Sequence, residues 1–213
     1  MRCKPIALGV KRLLDVVTAL LALTMLLPVF VVAAGTIRMT MGSPVLFTQI
    51  RPGKDGKPFL LYKFRTMNNR RGEDGQLLPD KDRLTNIGVL LRKTSIDELP
   101  QLINVLRGDM SLVGPRPLLM KYVPYFTTEE LLRQTVRPGI TGLAQISGRN
   151  LLSWDERLAL DVQYVKRWSL VLDLKILCKT VAAVVNRKGV VAATDTVLRN
   201  LDEERKGKCK LDS

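Results

Sequence analysis

From Val16 to Ile37 the chain runs for 22 residues without a charged side chain, between Asp15 and Arg38. A helix of that length rises about 33 Å, against about 30 Å for the hydrocarbon core of a bilayer. Such a segment has to be covered by protein or by lipid. A cleaved signal peptide fits the basic start, but the run exceeds an h-region of about 7–15 residues. The three cysteines, Cys3, Cys178 and Cys209, form no CxxC pair and give no sign of export. A single membrane-spanning anchor is the stronger simple reading. Its difficulty lies in the flanks. Arg2, Lys4, Lys11 and Arg12 precede the run with no acid before Asp15, while residues 38–71 hold eight Lys and Arg against Asp55 alone. With both flanks basic, the positive-inside rule orients no span, and it is satisfied when both ends stay cytoplasmic. Pro28 stands near the middle, where it removes a helical hydrogen bond and turns the axis. A re-entrant helix bent at Pro28 fits both facts; a span also fits, since membrane helices tolerate proline.

At 213 residues the chain has room for one domain with an appended element. The segmentation read here is a membrane helix with its basic flank over 1–40, a cytoplasmic catalytic domain over 41–190 and a charged tail over 191–213. Histidine is absent, which removes Ser-His-Asp and Cys-His triads, HExxH zinc sites and every histidine acid–base scheme. Chemistry is left to carboxylates, lysine, hydroxyls and bound metal. The net charge of +14 calls for anionic partners: nucleic acid, phosphorylated ligands or acidic lipid. Aromatic content of 5% argues against stacking platforms for single-stranded nucleic acid. A basic, membrane-tethered nucleic-acid binder nevertheless stands as the rival from another class.

The fold class expected is α+β, mainly helical. Residues 45–49 and 59–64 read as two short strands joined through Pro52-Gly53-Lys54-Asp55-Gly56 as a hairpin. Residues 68–83 read as a polar loop that orders around a ligand. From Thr85 the chain turns helical, with Leu99, Leu102, Ile103 and Leu106 at helical spacing before Gly108. Gly114-Pro115-Arg116-Pro117 must be extended, and a further helix is expected over 128–136. Ser153 and Glu156 have capping-box spacing at the head of a helix whose Trp154, Leu158, Val162 and Val165 form one stripe. The next helix, 170–185, is more apolar, and its Lys175 and Lys179 stems suit a lipid surface; ordinary core packing is the alternative for both. The tail over 202–210 is expected to be frayed.

Asp97-Glu98 is the best candidate for chemistry. Ser95 and Glu98 have capping-box spacing and Pro100 suits a first helical turn, so either alignment sets both carboxylates near a helix N-terminus. An ionised carboxylate is what a nucleophile or a magnesium ligand needs, although acids in first turns more often only cap. Lys63, Arg65, Arg92, Arg116 and Arg149 each lie beside a glycine, a proline or an element end. Guanidinium groups suit bidentate phosphate binding. Arg116 stands out because flanking prolines fix its backbone.

Three stretches carry a family resemblance: YKFRTM (62–67), the run from Thr85-Asn86-Ile87-Gly88 through RKTSIDELPQLINVLRGDMSLVGPRP (92–117), and RPGITGLAQISGRN (137–150). Together they resemble the bacterial sugar transferases, the small monotopic phosphoglycosyl transferases, over about residues 11–188. The resemblance implies transfer of a sugar-1-phosphate from a UDP-sugar to a polyprenyl phosphate such as undecaprenyl phosphate, with release of UMP. It implies a covalent route in which Asp97 matches the nucleophile and the magnesium-associated position, and Glu98 the partner carboxylate thought to assist the lipid phosphate. Arg92, Arg116 and Arg149, with Lys63 behind them, match positions suited to the substrate phosphates. Mg2+ is the implied cofactor. The family fold implies a re-entrant helix bent at Pro28, amphipathic helices on the membrane, and residence at the cytoplasmic face of the bacterial inner membrane, in contact with its lipid and open to a homodimer. The charge then needs no nucleic acid. Leu27 departs from the serine common before this proline in relatives, so the bend must rest on Pro28 and packing. The Ser153-Trp154-Asp155-Glu156 stretch looks closer to members that use N-acetylated amino sugars, with galactose or glucose as the alternative.

Overall fold

The computed structural model describes residues 5–148, 152–185 and 200–209. The uncharged run forms two helices, α1 (Pro5–Met25) and α2 (Leu27–Met41), bent by 62°. Among the described residues no single helix is long and apolar enough to cross a membrane. The break falls at Leu26 (φ −91°, ψ 4°), and Pro28 sits in the first turn of α2, where its missing N–H leaves no bond unmade. Thr24 Oγ1 donates to the Leu20 carbonyl at 3.0 Å, an i−4 back-bond of the kind that bends helices. The bend therefore forms with Leu27 in place of a hydroxyl.

Both arms of the bent pair dock on one body. On α1, Ala19, Ala22 and Leu23 pack against Leu61, Leu102, Val105 and Met110. Arg12 donates to the Val105 and Leu106 carbonyls at 2.7 and 3.0 Å, in the last turn of the helix ending at Arg107, where the Gly108 N–H also reaches the Val105 carbonyl. Lys11 reaches Asp173 Oδ2 at 2.6 Å and the Val113 carbonyl at 3.1 Å. On α2, Ala33 and Ile37 pack against Phe64 and Leu91, and buried Arg65 donates to the Met41, Gly42 and Ser43 carbonyls. A guanidinium there also faces the negative end of the helix dipole. Between the arms the knee is bare: Leu20, Leu21, Met25, Leu27, Val31 and Val32 are 56–79% exposed.

The hairpin pairs β1 (Leu46–Pro52) with β2 (Pro58–Phe64), register Leu46↔Phe64 to Pro52↔Pro58. It extends beyond the expected first strand because pairing continues to the turn at Lys54–Gly56. The stretch expected to order around a ligand takes its order from its own backbone, through an Arg71↔Leu77 bridge and the short α3 (Asp80–Arg83). Thr85 caps α4 (Asn86–Lys93), accepting from Gly88 N at 2.9 Å. Gly88 lets α4 lie against the end of the hairpin, since a Cβ there would stand 1.9 Å from the Thr66 carbonyl oxygen. After α5 (Gln101–Arg107), β3 (Ser111–Val113) pairs in parallel with β4 (Gly139–Thr141), a second sheet that alternation over three residues does not signal.

The helix expected over 128–136 is only a 3-10 turn, Glu130–Gln134, preceded by another at Met120–Tyr125. The segment is short before Pro138, and Arg133 is drawn into a buried pair with Asp161. After α6 (Leu143–Ser147), the capping box forms: Ser153 Oγ accepts from Glu156 N, and Glu156 Oε2 from Ser153 N, opening α7 (Trp154–Arg167). All four stripe residues are buried. On α8 (Leu170–Val185), Val171, Leu174 and Val181 are 62–63% exposed while Ile176 is fully buried. The tail is not frayed over its described part. It forms α9 (Leu201–Cys209), where Leu201 joins Tyr122, Phe126, Trp154 and Leu158 in a core and Arg205 pairs with Glu130 and Asp155.

Candidate active site

Five of the six expected phosphate-chemistry residues reach one cavity, from four separate elements. Strand β2 presents Lys63, the last turn of α4 presents Arg92, and the extended Gly114–Pro117 stretch presents Arg116. A 3-10 turn, Ile96–Glu98, adds Asp97 and Glu98 to the same wall. The cavity measures about 1030 Å³. Arg149 lies outside the described residues. Arg65 lines the cavity, but its guanidinium is spent on the end of α2.

The expected capping box at Ser95 does not form. Ser95 is left-handed (φ 58°, ψ 16°) and makes no side-chain cap bond, because Glu98 is claimed elsewhere. Its carboxylate pairs with Lys63 at 2.7 Å and takes both terminal nitrogens of Arg116. Asp97 is 8% exposed and makes no ion pair or hydrogen bond among the described residues. Adjacent in sequence, the two acids are driven apart. Burial pushes Asp97 up to about 6, with Glu98 adding to the rise and Lys63, Arg116 and Arg92 opposing it. Burial also disfavours ionised Glu98, but Arg116 and Lys63 outweigh it and hold this carboxyl far below the usual range. Glu98 in turn raises Arg116. Pairs of acids split by their surroundings mark sites where two carboxylates take different roles.

No cluster of three or more metal-ligating side chains occurs among the described residues. Of the carboxylates on the cavity wall, Asp80, Glu98 and Asp161 are paired with cations and Asp97 is not. One free carboxylate beside an open cavity is the protein share that magnesium commonly takes when substrate phosphates supply further oxygens.

Three further residues were not singled out from the sequence. Arg51 donates Nη1 to the Pro117 carbonyl at 3.2 Å and Nη2 to Gln49 Oε1 at 2.6 Å. Arg157 lies over the Trp154 ring at 5.3 Å and donates to the Leu152 carbonyl. Arg133, bonded twice to Asp161, also donates to the Arg116 carbonyl at 2.6 Å. Two periodicities carried this signal. Phe47, Gln49 and Arg51 alternate on the cavity face of β1, and Trp154, Arg157 and Asp161 share one face of α7.

Residues 6–187 match the bacterial sugar transferase family. The chain is 55% identical over 180 residues to the uncharacterized sugar transferase EpsL of Bacillus subtilis, covering 84% of this chain and 89% of the other. It is 44% identical over 187 residues to a UDP-glucose:undecaprenyl-phosphate glucose-1-phosphate transferase of Caulobacter vibrioides (82% and 69%). It is 41% identical over 197 residues to a UDP-galactose-lipid carrier transferase of Erwinia amylovora (84% and 41%). A match over nearly the whole catalytic region, joined to a split carboxylate pair in a basic cavity, places this chain in the bacterial sugar transferase family.

Proposed function

We propose that this chain transfers a hexose-1-phosphate, from UDP-glucose or UDP-galactose, to a polyprenyl phosphate such as undecaprenyl phosphate and releases UMP. The observation that carries the reading is Asp97, a buried and unpaired carboxylate in a cavity walled by cations. In the first half-reaction an Asp97 oxygen attacks the β-phosphorus, the bond to the UMP oxygen breaks, and UMP leaves with the electron pair. In the second, an oxygen of the lipid phosphate attacks the same phosphorus and the Asp97 carboxylate is regenerated. Neither step requires a proton to be shuttled, in keeping with a chain that has no histidine. Glu98 keeps Lys63 and Arg116 aimed at the phosphates. Magnesium, held by Asp97 and substrate oxygens, would neutralise the diphosphate.

The hexose reading follows the names of the relatives and displaces the N-acetylated amino sugar expected from residues 153–156. Ser153 and Glu156 are used by the helix cap, and Trp154 belongs to the core. The bare knee at Leu26–Pro28 supports a re-entrant seat in lipid with both ends on the cytoplasmic face. Lys11 and Arg12 before it and Met41 after it are bonded to the same body.

Purified chain incubated with undecaprenyl phosphate and UDP-glucose, UDP-galactose or UDP-N-acetylglucosamine tests the reaction, with UMP release as readout. Release from a hexose donor, abolished by Asp97→Asn, is expected. Normal turnover in that variant would remove the covalent role, and preference for the amino-sugar donor would overturn the hexose assignment. Cysteine labelling at residues 8 and 42 in vesicles should mark one face; marking on opposite faces refutes the re-entrant seat.

A further inference from the structure

The cations around the cavity are not equally neutralised. Glu98 answers Lys63 and Arg116, and Asp80 answers Arg83. Arg51, Arg92 and Arg157 line the same cavity, half-buried, with no carboxylate within 4.0 Å among the described residues. Arg51 Nε is buried and has no hydrogen-bond partner. Half-buried cations without counter-charge are costly unless an anion arrives to meet them.

These arginines fall into two groups. Arg92 and Lys63 act on Asp97, together with Arg116. Arg51 and Arg157 approach Arg116 from β1 and α7. Arg157 stands one turn before Asp161, whose partner Arg133 donates to the Arg116 carbonyl. Burial lowers both guanidinium groups, and Arg116 repels each. Arg51 is also bonded to the residue that follows Arg116. The cavity thus holds cations beside Asp97 and others around Arg116, contributed by β1 and α7.

In-line displacement at phosphorus puts the attacking and leaving oxygens on opposite sides. With Asp97 on one side, the UMP oxygen leaves from the other, and the lipid-phosphate oxygen must later enter from that same side. The two phosphates therefore need one place at different times. Resting on the function proposed above, we infer that Arg51 and Arg157, with Arg116, form a shared anion subsite that holds the nucleotide α-phosphate in the first half-reaction and the lipid phosphate in the second. The bonds made and broken are those already given; Arg51 and Arg157 hold charge and transfer no atom.

The full chain in detergent, carrying Asp97→Asn so that nothing turns over, provides the binding test, with UMP and farnesyl phosphate as probes. Each should displace the other competitively. Adding Arg51→Gln, or separately Arg157→Gln, should weaken both probes by about tenfold or more, while Arg51→Lys should restore part of each affinity. In the chain with Asp97 intact, Arg51→Gln should slow both the UMP burst and the discharge of the phosphosugar enzyme. Circular dichroism checks that the variants fold, and Arg157→Gln carries the test if Arg51→Gln does not. Simultaneous binding of both probes, or weakening of one alone, overturns the shared subsite. Failure of the chain with Asp97 intact to release UMP from any UDP-sugar overturns the proposed function instead.

Discussion

Replacing Asp97 with asparagine should make the protein more stable as it makes it inactive. Burial raises this carboxyl from 3.8 to about 6 in the folded chain. Ionising it in the folded state therefore costs about 3 kcal/mol at most. The sign follows from the direction. A raised folded value means that stability is fully present below the unfolded value and is lost as pH rises through about 6. At pH 7.5 the native chain bears the whole cost, and at pH 4.5 about 1 kcal/mol of it. Asparagine has nearly the same shape and no charge to bury. At this chain length about 1 kcal/mol moves the midpoint by roughly 2–4 °C, so Asp97→Asn should melt roughly 6–12 °C higher at pH 7.5. The advantage should shrink to about a third of that at pH 4.5. Thermal melts in detergent with a chelator, followed by tryptophan fluorescence at both pH values, read this directly. A variant less stable than the native chain at pH 7.5, or an advantage that does not change with pH, would refute the assignment of Asp97 as a buried, unpaired charge.

The same shift gives kcat/KM for the UDP-sugar an acid limb near pH 6, falling about tenfold per unit below it; a second limb between pH 4 and 5 would contradict the low value assigned to Glu98. Glu98→Gln should cut UMP release about a hundredfold, because Lys63 and Arg116 lose the carboxylate between them; a loss under about threefold would count against that role. Gly88→Ala drives a Cβ into the Thr66 carbonyl at 1.9 Å and should cost about 1–3 kcal/mol, so an unchanged melting midpoint would show that α4 does not rest there. Lys11→Met removes the cation from buried Asp173 and should destabilise by about 3 kcal/mol, measurable as a lowered urea midpoint.

What could be read in advance was local. The bend needed only Pro28 in an uncharged run, the hairpin a turn-rich five residues between two apolar stretches, and α7 a serine three residues before a glutamate. What escaped was decided at long range. Ser95 and Glu98 have the spacing of a cap, yet Lys63, 35 residues away, and Arg116 outbid the serine for the carboxylate. The tail reads as charged and loose because only Leu201 anchors it among polar neighbours, and its partners Glu130 and Asp155 lie far back in the chain. Arg51 and Arg157 escape because the periodicities of β1 and α7 group them with Gln49 and Asp161 without saying that those faces meet the cavity. Within the site, the carboxylate pair and Lys63, Arg92 and Arg116 could be named from the sequence and the family resemblance. Their division of labour could not, since it depends on which acid the cations reach.

Under the proposed mechanism, that division also favours one of the two carboxylates as nucleophile. Glu98 would have to release Lys63 and both nitrogens of Arg116 to attack phosphorus, discarding the contacts that keep it ionised. Asp97 has nothing to release. Its burial costs stability, and a divalent cation brought by the diphosphate would relieve that cost by pairing with the carboxylate. A raised pKa in an unpaired acid often marks a proton donor, but the arriving anion here is met by Lys63, Arg92 and Arg116, whose charges already pull Asp97 down. The cavity is so basic that the acid is destabilised by burial rather than by a lack of positive potential. A bound diphosphate adds negative charge beside Asp97, so under the proposed mechanism Lys63, Arg92 and Arg116, with any magnesium that accompanies it, must outweigh that repulsion for the carboxylate to stay ionised and attack phosphorus.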